Sequence, residues 1–281
     1  MDYQRHHIAL NGLSCSYLAW GKPGQQPLLC LHGLGDQGLV WACLADYLTE
    51  NLDQFHIVAP DLRGHGESAK PDIGYHFADY QADLDGLLTH LGWESVDVVA
   101  HSWGAKLACR WVTANPRKVR RLILTDPFFI GTIPAIFKLT FPLLYRVLSF
   151  LKLSQSFPSY EAAEALAKTL PEFSGWSPYQ QQVFQATMQE NGDRTWSSKF
   201  SRQARDEVFE EVMSVPGLTE TLDLPCLLIK PDRGVNRSDW QIAPFKRYFS
   251  QLTLVEVAGN HWSFLVNADG FNAQVVTFLR G

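Results

Sequence analysis

Five apolar runs recur along the chain: PLLCL (27–31), HIVAP (56–60), VDVVA (96–100), RLILT (121–125) and PCLLI (225–229). Each is too short for a buried helix, is bounded by Gly, Pro or charged residues, and shows no polar alternation, so each reads as a strand covered on both faces. The stretches between them have helical spacing. Phe77, Tyr80, Leu84, Leu87, Leu88 and Leu91 fall on one face, as do Leu107, Ala108, Trp111 and Val112. LTLVEV (252–257) and FNAQVVTFL (271–279) add one more strand and helix. Strands joined by helices in this way predict an α/β fold with a mostly parallel sheet between two helical layers. The opening HIALNGLSCSYLAW carries Asn11-Gly12 between two strand-like runs, which predicts an antiparallel hairpin at the start of the sheet.

The alternation stops from 127 to 222. This part is helical in pattern, and Ser177-Pro178-Tyr179-Gln180 has the N-cap, first-turn proline and capping-box residues of a helix start. We expect a helical cap at 127–222, inserted into a core formed by 1–126 and 223–281. With 281 residues, 46% of them hydrophobic, the chain can bury one sizeable core. FFIGTIPAIFKLTFPLLYRVLSFL (128–151) is long enough to span a bilayer, but Lys138, Pro142 and Arg146 interrupt it. It reads as a lid over an apolar cavity rather than an integral span, with peripheral membrane contact as the alternative.

A net charge of −5 with scattered Lys and Arg gives no basic face, so nucleic acid is not the expected partner. The five cysteines lack C-x-x-C spacing and mostly sit in apolar runs, which favours reduced core thiols. MDYQRHHIAL has no charged-then-apolar leader pattern, and the expected location is cytoplasmic.

Four stretches could carry chemistry. In VVAHSWGAKLA (98–108) a buried strand runs directly into a helix pattern at Ser102. A serine there sits on a sharp turn, with its hydroxyl above the sheet and near the positive end of the helix. Ala100 and Gly104 keep the flanks small in a variant of G-x-S-x-G; an ordinary N-cap serine is the competing reading. LLCLHGLGDQG (28–38) ends a strand in a glycine-rich turn. That turn either merely reverses the chain or aims the N–H of Leu34, with that of Trp103, at an oxyanion. VAGNHWSFLVNADGF (257–271) puts His261 in a turn after the last strand, where it can take the serine proton. His6, His7, His56, His76 and His90 have no such place. APDLRGHGESAKP (59–71) gathers Asp61, Arg63, His65 and Glu67 at a spacing that suits no usual metal site, so we expect a structural loop with Asp61 and Arg63 paired locally.

LHGLGD, DLRGHGES, AHSWGAKLA and the late GNHW stand in the order and at the distances of the α/β-hydrolase superfamily, which the chain resembles over essentially its full length. The resemblance implies an eight-stranded, mostly parallel sheet with a cap after the sixth strand, and a Ser–acid–His triad. It implies Ser102 as nucleophile, His261 as base, the N–H groups of Leu34 and Trp103 as oxyanion hole, and no cofactor or metal. Relatives with Trp after the nucleophile include epoxide hydrolases and haloalkane dehalogenases, whose nucleophile is aspartate; serine here disfavours those chemistries. Prolyl iminopeptidases share Ser-Trp-Gly, but their loops differ from DLRGHGES.

The acid is less direct. Many relatives carry it in a loop after the seventh strand, where alignment on Pro225 puts Gly234. Asp232 falls two residues early and Asp239 five late. Other relatives, among them haloalkane dehalogenases and some polyketide off-loading thioesterases, place the acid after the sixth strand. RLILTDPFF puts Asp126 there, and it is preferred over Asp232 and Asp239, although Asp-Pro at this point also serves only to begin a cap. The expected activity is hydrolysis of a small-molecule ester or thioester with an apolar acyl or aromatic group, through an acyl-enzyme on Ser102. The alternatives are a polyketide or acyl thioesterase and a non-catalytic, ligand-binding homologue.

Overall fold

The computed structural model describes residues 3–134 and 148–281. Most of the apolar stretch read as a lid, with Lys138, Pro142 and Arg146, lies outside the described residues.

Strands β1 (Gln4–Leu10) and β2 (Leu13–Trp20) form the expected hairpin, with Leu10 opposite Leu13. Asn11 (φ 51°) and Gly12 (φ 78°) both occupy the left-handed region that a two-residue turn of this twist demands. The chain then alternates: β3 (Gln26–Leu31), α1 (Ala42–Leu52), β4 (Phe55–Asp61), α2 (Phe77–Leu91), β5 (Val96–His101), α3 (Ser102–Ala114) and β6 (Val119–Thr125). Between β6 and the next long strand lie α4 (Tyr160–Ala167), α5 (Pro178–Thr187), two short strands β7 (Met188–Glu190) and β8 (Trp196–Ser198), and α6 (Arg202–Ser214). The core resumes with β9 (Leu222–Arg233), α7 (Asp239–Tyr248) and β10 (Phe249–Asn260), and ends with the short α8 (Ser263–Val266) and α9 (Ala268–Arg280).

Eight strands make one sheet in the order β1-β2-β4-β3-β5-β6-β9-β10; β2 runs antiparallel to β1 and β4, and the other pairs are parallel. The absence of alternation in the apolar runs has its reason here. Leu28 and Cys30 pack into the layer of α1 and α9, while Leu29 and Leu31 pack into that of α2 and α3, so both faces of β3 are covered. Burying such a leucine contributes roughly 1.5–3 kcal/mol, and the central strands repeat the pattern several times over.

Three expectations are corrected or refined. Asp61 and Arg63 do not pair with each other. Asp61, fully buried, accepts from Arg5 (2.8 Å) and from the N–H groups of Gly38 (2.7 Å) and Glu67 (2.9 Å), whereas Arg63 forks onto Asp83 of α2 (2.6 and 2.7 Å). Asp61 ends β4 and Arg63 follows two residues later, and the two side chains reach different elements: Arg5 of β1 for Asp61, Asp83 of α2 for Arg63. The helical stretch also contains the β7–β8 hairpin, whose three-residue strands are too short to show a period. β9 begins at Leu222, slightly earlier than the sequence pattern suggested. The capping box at Ser177 forms as read, with Ser177 Oγ accepting from Gln180 N–H and Gln180 Oε1 from Ser177 N–H. Among the described residues no helix is long and apolar enough to cross a membrane.

Candidate active site

Sheet register brings distant residues together. His101 at the end of β5 pairs with Thr125 of β6, Thr125 pairs with Ile229 of β9, and Asn260 of β10 pairs with Arg233. Ser102, Asp126, the 234–236 turn and His261 therefore leave the same carboxyl edge side by side, the edge at which open α/β sheets bind ligands.

Ser102 opens α3 with φ 55°, a left-handed conformation that costs a non-glycine residue on the order of 1–2 kcal/mol. The turn is held by its surroundings. Ser102 C=O accepts from Phe128 N–H at 3.1 Å, and Gly104 lets the helix lie directly on β3. A β-carbon at Gly104 would stand 2.3 Å from the carbonyl oxygen of His32. Asp126 is likewise left-handed, at φ 40°. Its backbone N–H donates to Ile229 C=O (3.0 Å), and the turn swings its carboxylate over the end of β9.

The three side chains form one hydrogen-bonded row. His261 Nδ1–H donates to Asp126 Oδ2 at 2.6 Å, which leaves Nε2 to accept from Ser102 Oγ at 2.9 Å. Asp126 is fully buried and takes three more donors: Val235 N–H (2.8 Å) on Oδ2, and Asn236 N–H (3.2 Å) and Nδ2 (2.8 Å) on Oδ1. Burial pushes its carboxyl up, but the hydrogen bond and charge of His261, with those donors, outweigh it and hold the group below the ordinary carboxylate range. The acid is thus ionised at neutral pH and can fix the His261 tautomer.

Of the other candidate acids, Asp232 accepts from Gly259 N–H (2.8 Å), steadying the turn ahead of His261, and Asp239 is exposed at the start of α7. Neither forms a hydrogen bond to His261 among those found in the described residues. Gly234, the residue at the usual acid position, has another use. A β-carbon there would lie 2.5 Å from Asp126 Oδ2, so the glycine makes room for a carboxylate arriving from β6.

Sequence reading missed Asn236 and His101. Asn236 also donates to Pro127 C=O (2.9 Å), and its only sequence signal is its position two residues after Gly234. His101 is buried beneath His261, ring centroids 4.5 Å apart, and its Nε2–H donates to the His261 carbonyl at 2.9 Å. Burial and the nearby His261 push its imidazole below the ordinary value, against the pull of Asp36. His65, grouped in sequence with Asp61, is an aromatic core residue stacked on Phe200 (4.5 Å).

A cavity of about 240 Å³ opens on Ser102 and His261, walled by Leu34, Trp103, Phe128, Phe209, Val212 and Trp262. A larger groove of about 870 Å³ lies at the opposite, amino edge of the sheet between Trp20, His56 and Trp93, and none of the three row residues lines it. Among the described residues no three His, Cys, Asp or Glu side chains gather as a metal ion would require.

The family profile for the alpha/beta hydrolase fold matches residues 26–222, more than half of the chain. The chain belongs to the alpha/beta hydrolase fold family. A soluble epoxide hydrolase from Corynebacterium sp. (strain C12) is 34% identical over 125 residues, 44% of this chain and 42% of that protein. The chain spans less than half the length of the curated relatives it matches. Among solved structures, E-2-(acetamidomethylene)succinate hydrolase superposes with a TM-score of 0.81 at 23% identity, covering 100% of both chains. The thioesterase domain from the curacin biosynthetic pathway gives 0.80 at 23% identity, over 98% of this chain and 100% of that one. Membership accounts for the sheet order and the strand–turn–helix at Ser102, and it leaves the substrate open.

Proposed function

We propose that the protein is a serine hydrolase that cleaves an ester or thioester carrying an apolar acyl or aromatic group. The observation that carries this reading is the continuous row Asp126–His261–Ser102 at 2.6 and 2.9 Å, opening into an apolar cavity. Ser102 Oγ attacks the carbonyl carbon while His261 Nε2 takes its proton. Asp126 holds the imidazole tautomer and stabilises the imidazolium. The N–H groups of Leu34 and Trp103 receive the negative oxygen. Imidazolium then protonates the leaving group, and water activated by His261 releases the acid from the acyl-enzyme. Residues 127–222 act as a cap over the pocket. An aspartate stands where this chain has Ser102 in epoxide hydrolases and dehalogenases, which argues against their alkyl-transfer chemistry here.

A thioester is the second reading, favoured by the position of the acid at the end of β6 rather than β9, as in some polyketide off-loading thioesterases. Free thiols at all five cysteines support a reducing, cytoplasmic setting. The test is covalent labelling by a fluorophosphonate, followed by paired acyl esters and acyl thioesters of increasing chain length. Labelling of wild type but not Ser102→Ala is expected. Wild type left unlabelled, with no turnover of any substrate, sinks the hydrolase reading in favour of a ligand-binding homologue.

A further inference from the structure

Lys106 sits one turn after Ser102 on α3, and it is fully buried, with no ion pair to a carboxylate among the described residues. Its ammonium donates to three backbone carbonyls: Phe129 (2.9 Å), Gly131 (2.9 Å) and Val212 (2.5 Å). Two of these lie on the chain leaving β6, and the third lies near the end of α6, just before the chain returns to β9.

The Val212 carbonyl explains why a lysine is needed. In a continuing helix its partner would be the N–H of residue 216, but residue 216 is proline and has none. The cation thus meets an orphan carbonyl at the negative end of a helix. Around it the two chain segments are tied directly. Ile133 N–H donates to Met213 C=O (2.9 Å), Gly217 N–H donates to Ile130 C=O (2.8 Å), and Arg110 donates to Pro216 C=O (2.7 Å). A β-carbon on Gly217 would fall 2.9 Å from Cγ of Lys106, so the backbone is packed closely against the lysine stem.

We propose that Lys106 is a positioning residue for the pocket: its ammonium clasps the chain segments that enter and leave the 127–222 insert, and so fixes Phe128 and Val212 as facing walls beside Ser102. Phe128 adjoins one clasped carbonyl and Val212 owns another, and both line the cavity. A small acyl group needs neither wall, whereas a long one needs both. Lys106 therefore governs affinity for large apolar substrates rather than the chemical step. Burial pushes the amine down to about 7, with Arg110 adding to this and Cys109 and Glu211 opposing it. A neutral amine has two N–H groups for three carbonyls, so one bond of the clasp is lost when the proton leaves.

The proposal rests on the cavity being the substrate pocket of the hydrolase, and the experiment separates the two ideas. Lys106→Met keeps the stem and removes the donors. Compared with wild type, it should label with a fluorophosphonate and turn over p-nitrophenyl acetate within about 3-fold, while KM for p-nitrophenyl octanoate rises roughly 10-fold at little-changed kcat. Amide exchange at 130–133 and 212–217 should quicken. Unchanged octanoate KM and unchanged exchange in a folded Lys106→Met overturn the proposal, as does an equal loss on both esters. Should wild type hydrolyse neither ester, the hydrolase reading falls, and exchange alone decides whether the clasp stands. Should Lys106→Met fail to fold, the octanoate-to-acetate KM ratio of wild type carries the test: it should rise from about pH 6 to about pH 9, and a flat ratio overturns the proposal.

Discussion

Two neighbouring strand ends divide one task unequally. After β6 the chain turns through a left-handed Asp126 and delivers a carboxylate. After β9 it turns through Gly234 and delivers only space and donors: room for that carboxylate, then the N–H groups of Val235 and Asn236 and the Asn236 amide. A buried charge costs several kcal/mol unless it is fully hydrogen-bonded, so a carboxylate on one strand needs a cradle on the next. Because the sheet fixes both turns beside His261, a carboxylate delivered from either strand end is expected to reach the same imidazole.

The strongest way to break this comparison is to remove the charge. Asp126→Asn should lower kcat on the order of 10²–10⁴-fold with the fold intact, as steady-state kinetics on the preferred ester would show. The same loss in Asp232→Asn, with Asp126→Asn near wild type, would reverse the assignment. Next is the room itself. Gly234→Ala places a methyl inside the Asp126 carboxylate and should cost about 10–100-fold in kcat, together with a lower melting temperature. Gly234→Asp in an Asp126→Gly background sharpens the point, since activity above that of Asp126→Gly alone would show that either strand end can hold the acid.

A smaller effect is expected of the cradle. Asn236→Ala removes one donor from Asp126 and should cost about 3–30-fold in kcat. The native Asp126 carboxyl is held low, so its contribution to stability is present above the unfolded carboxylate pKa and is lost as pH falls through the native value. With a donor gone the native value rises. The acid limbs of both the rate profile and the unfolding curve should therefore move to higher pH, and an unmoved limb would remove Asn236 from the account. Least affected is Asp232→Asn, whose amide oxygen can still accept from Gly259 N–H; a change of less than about 3-fold is expected.

What could be read from the sequence follows the range over which each feature is determined. Strand-helix alternation, the Asn11-Gly12 hairpin and the capping box at Ser177 are set by neighbours within a few residues, and each is present. The seats of Ser102 and His261 were legible because chain order and sheet topology leave few places for a strand-end serine and histidine. Partners chosen by packing were not. Arg63 reaches Asp83 across the surface of α2 rather than its near neighbour Asp61, and nothing in the spelling of DLRGHGES says which way each side chain turns. Gly234 was visible as a missing aspartate, but not as the space another aspartate fills. Asn236 and Lys106 were silent because Asn236 meets Asp126 110 positions away and Lys106 meets Val212 106 positions away, besides the nearer carbonyls of Phe129 and Gly131.

The register that sets Ser102, Asp126 and His261 on one edge also has a consequence in time. Residue 102 leaves the ribosome long before residue 261, yet its hydroxyl has no imidazole to hydrogen-bond to until β9 has seated against β6 and β10 against β9. Pairings of such long sequence separation form late and slowly. Throughout synthesis, and in any chain that stops short of residue 261, Ser102 lacks its histidine partner, so if the proposed hydrolysis rests on that pair, the onset of activity in a translation reaction would act as a clock for the docking of β10.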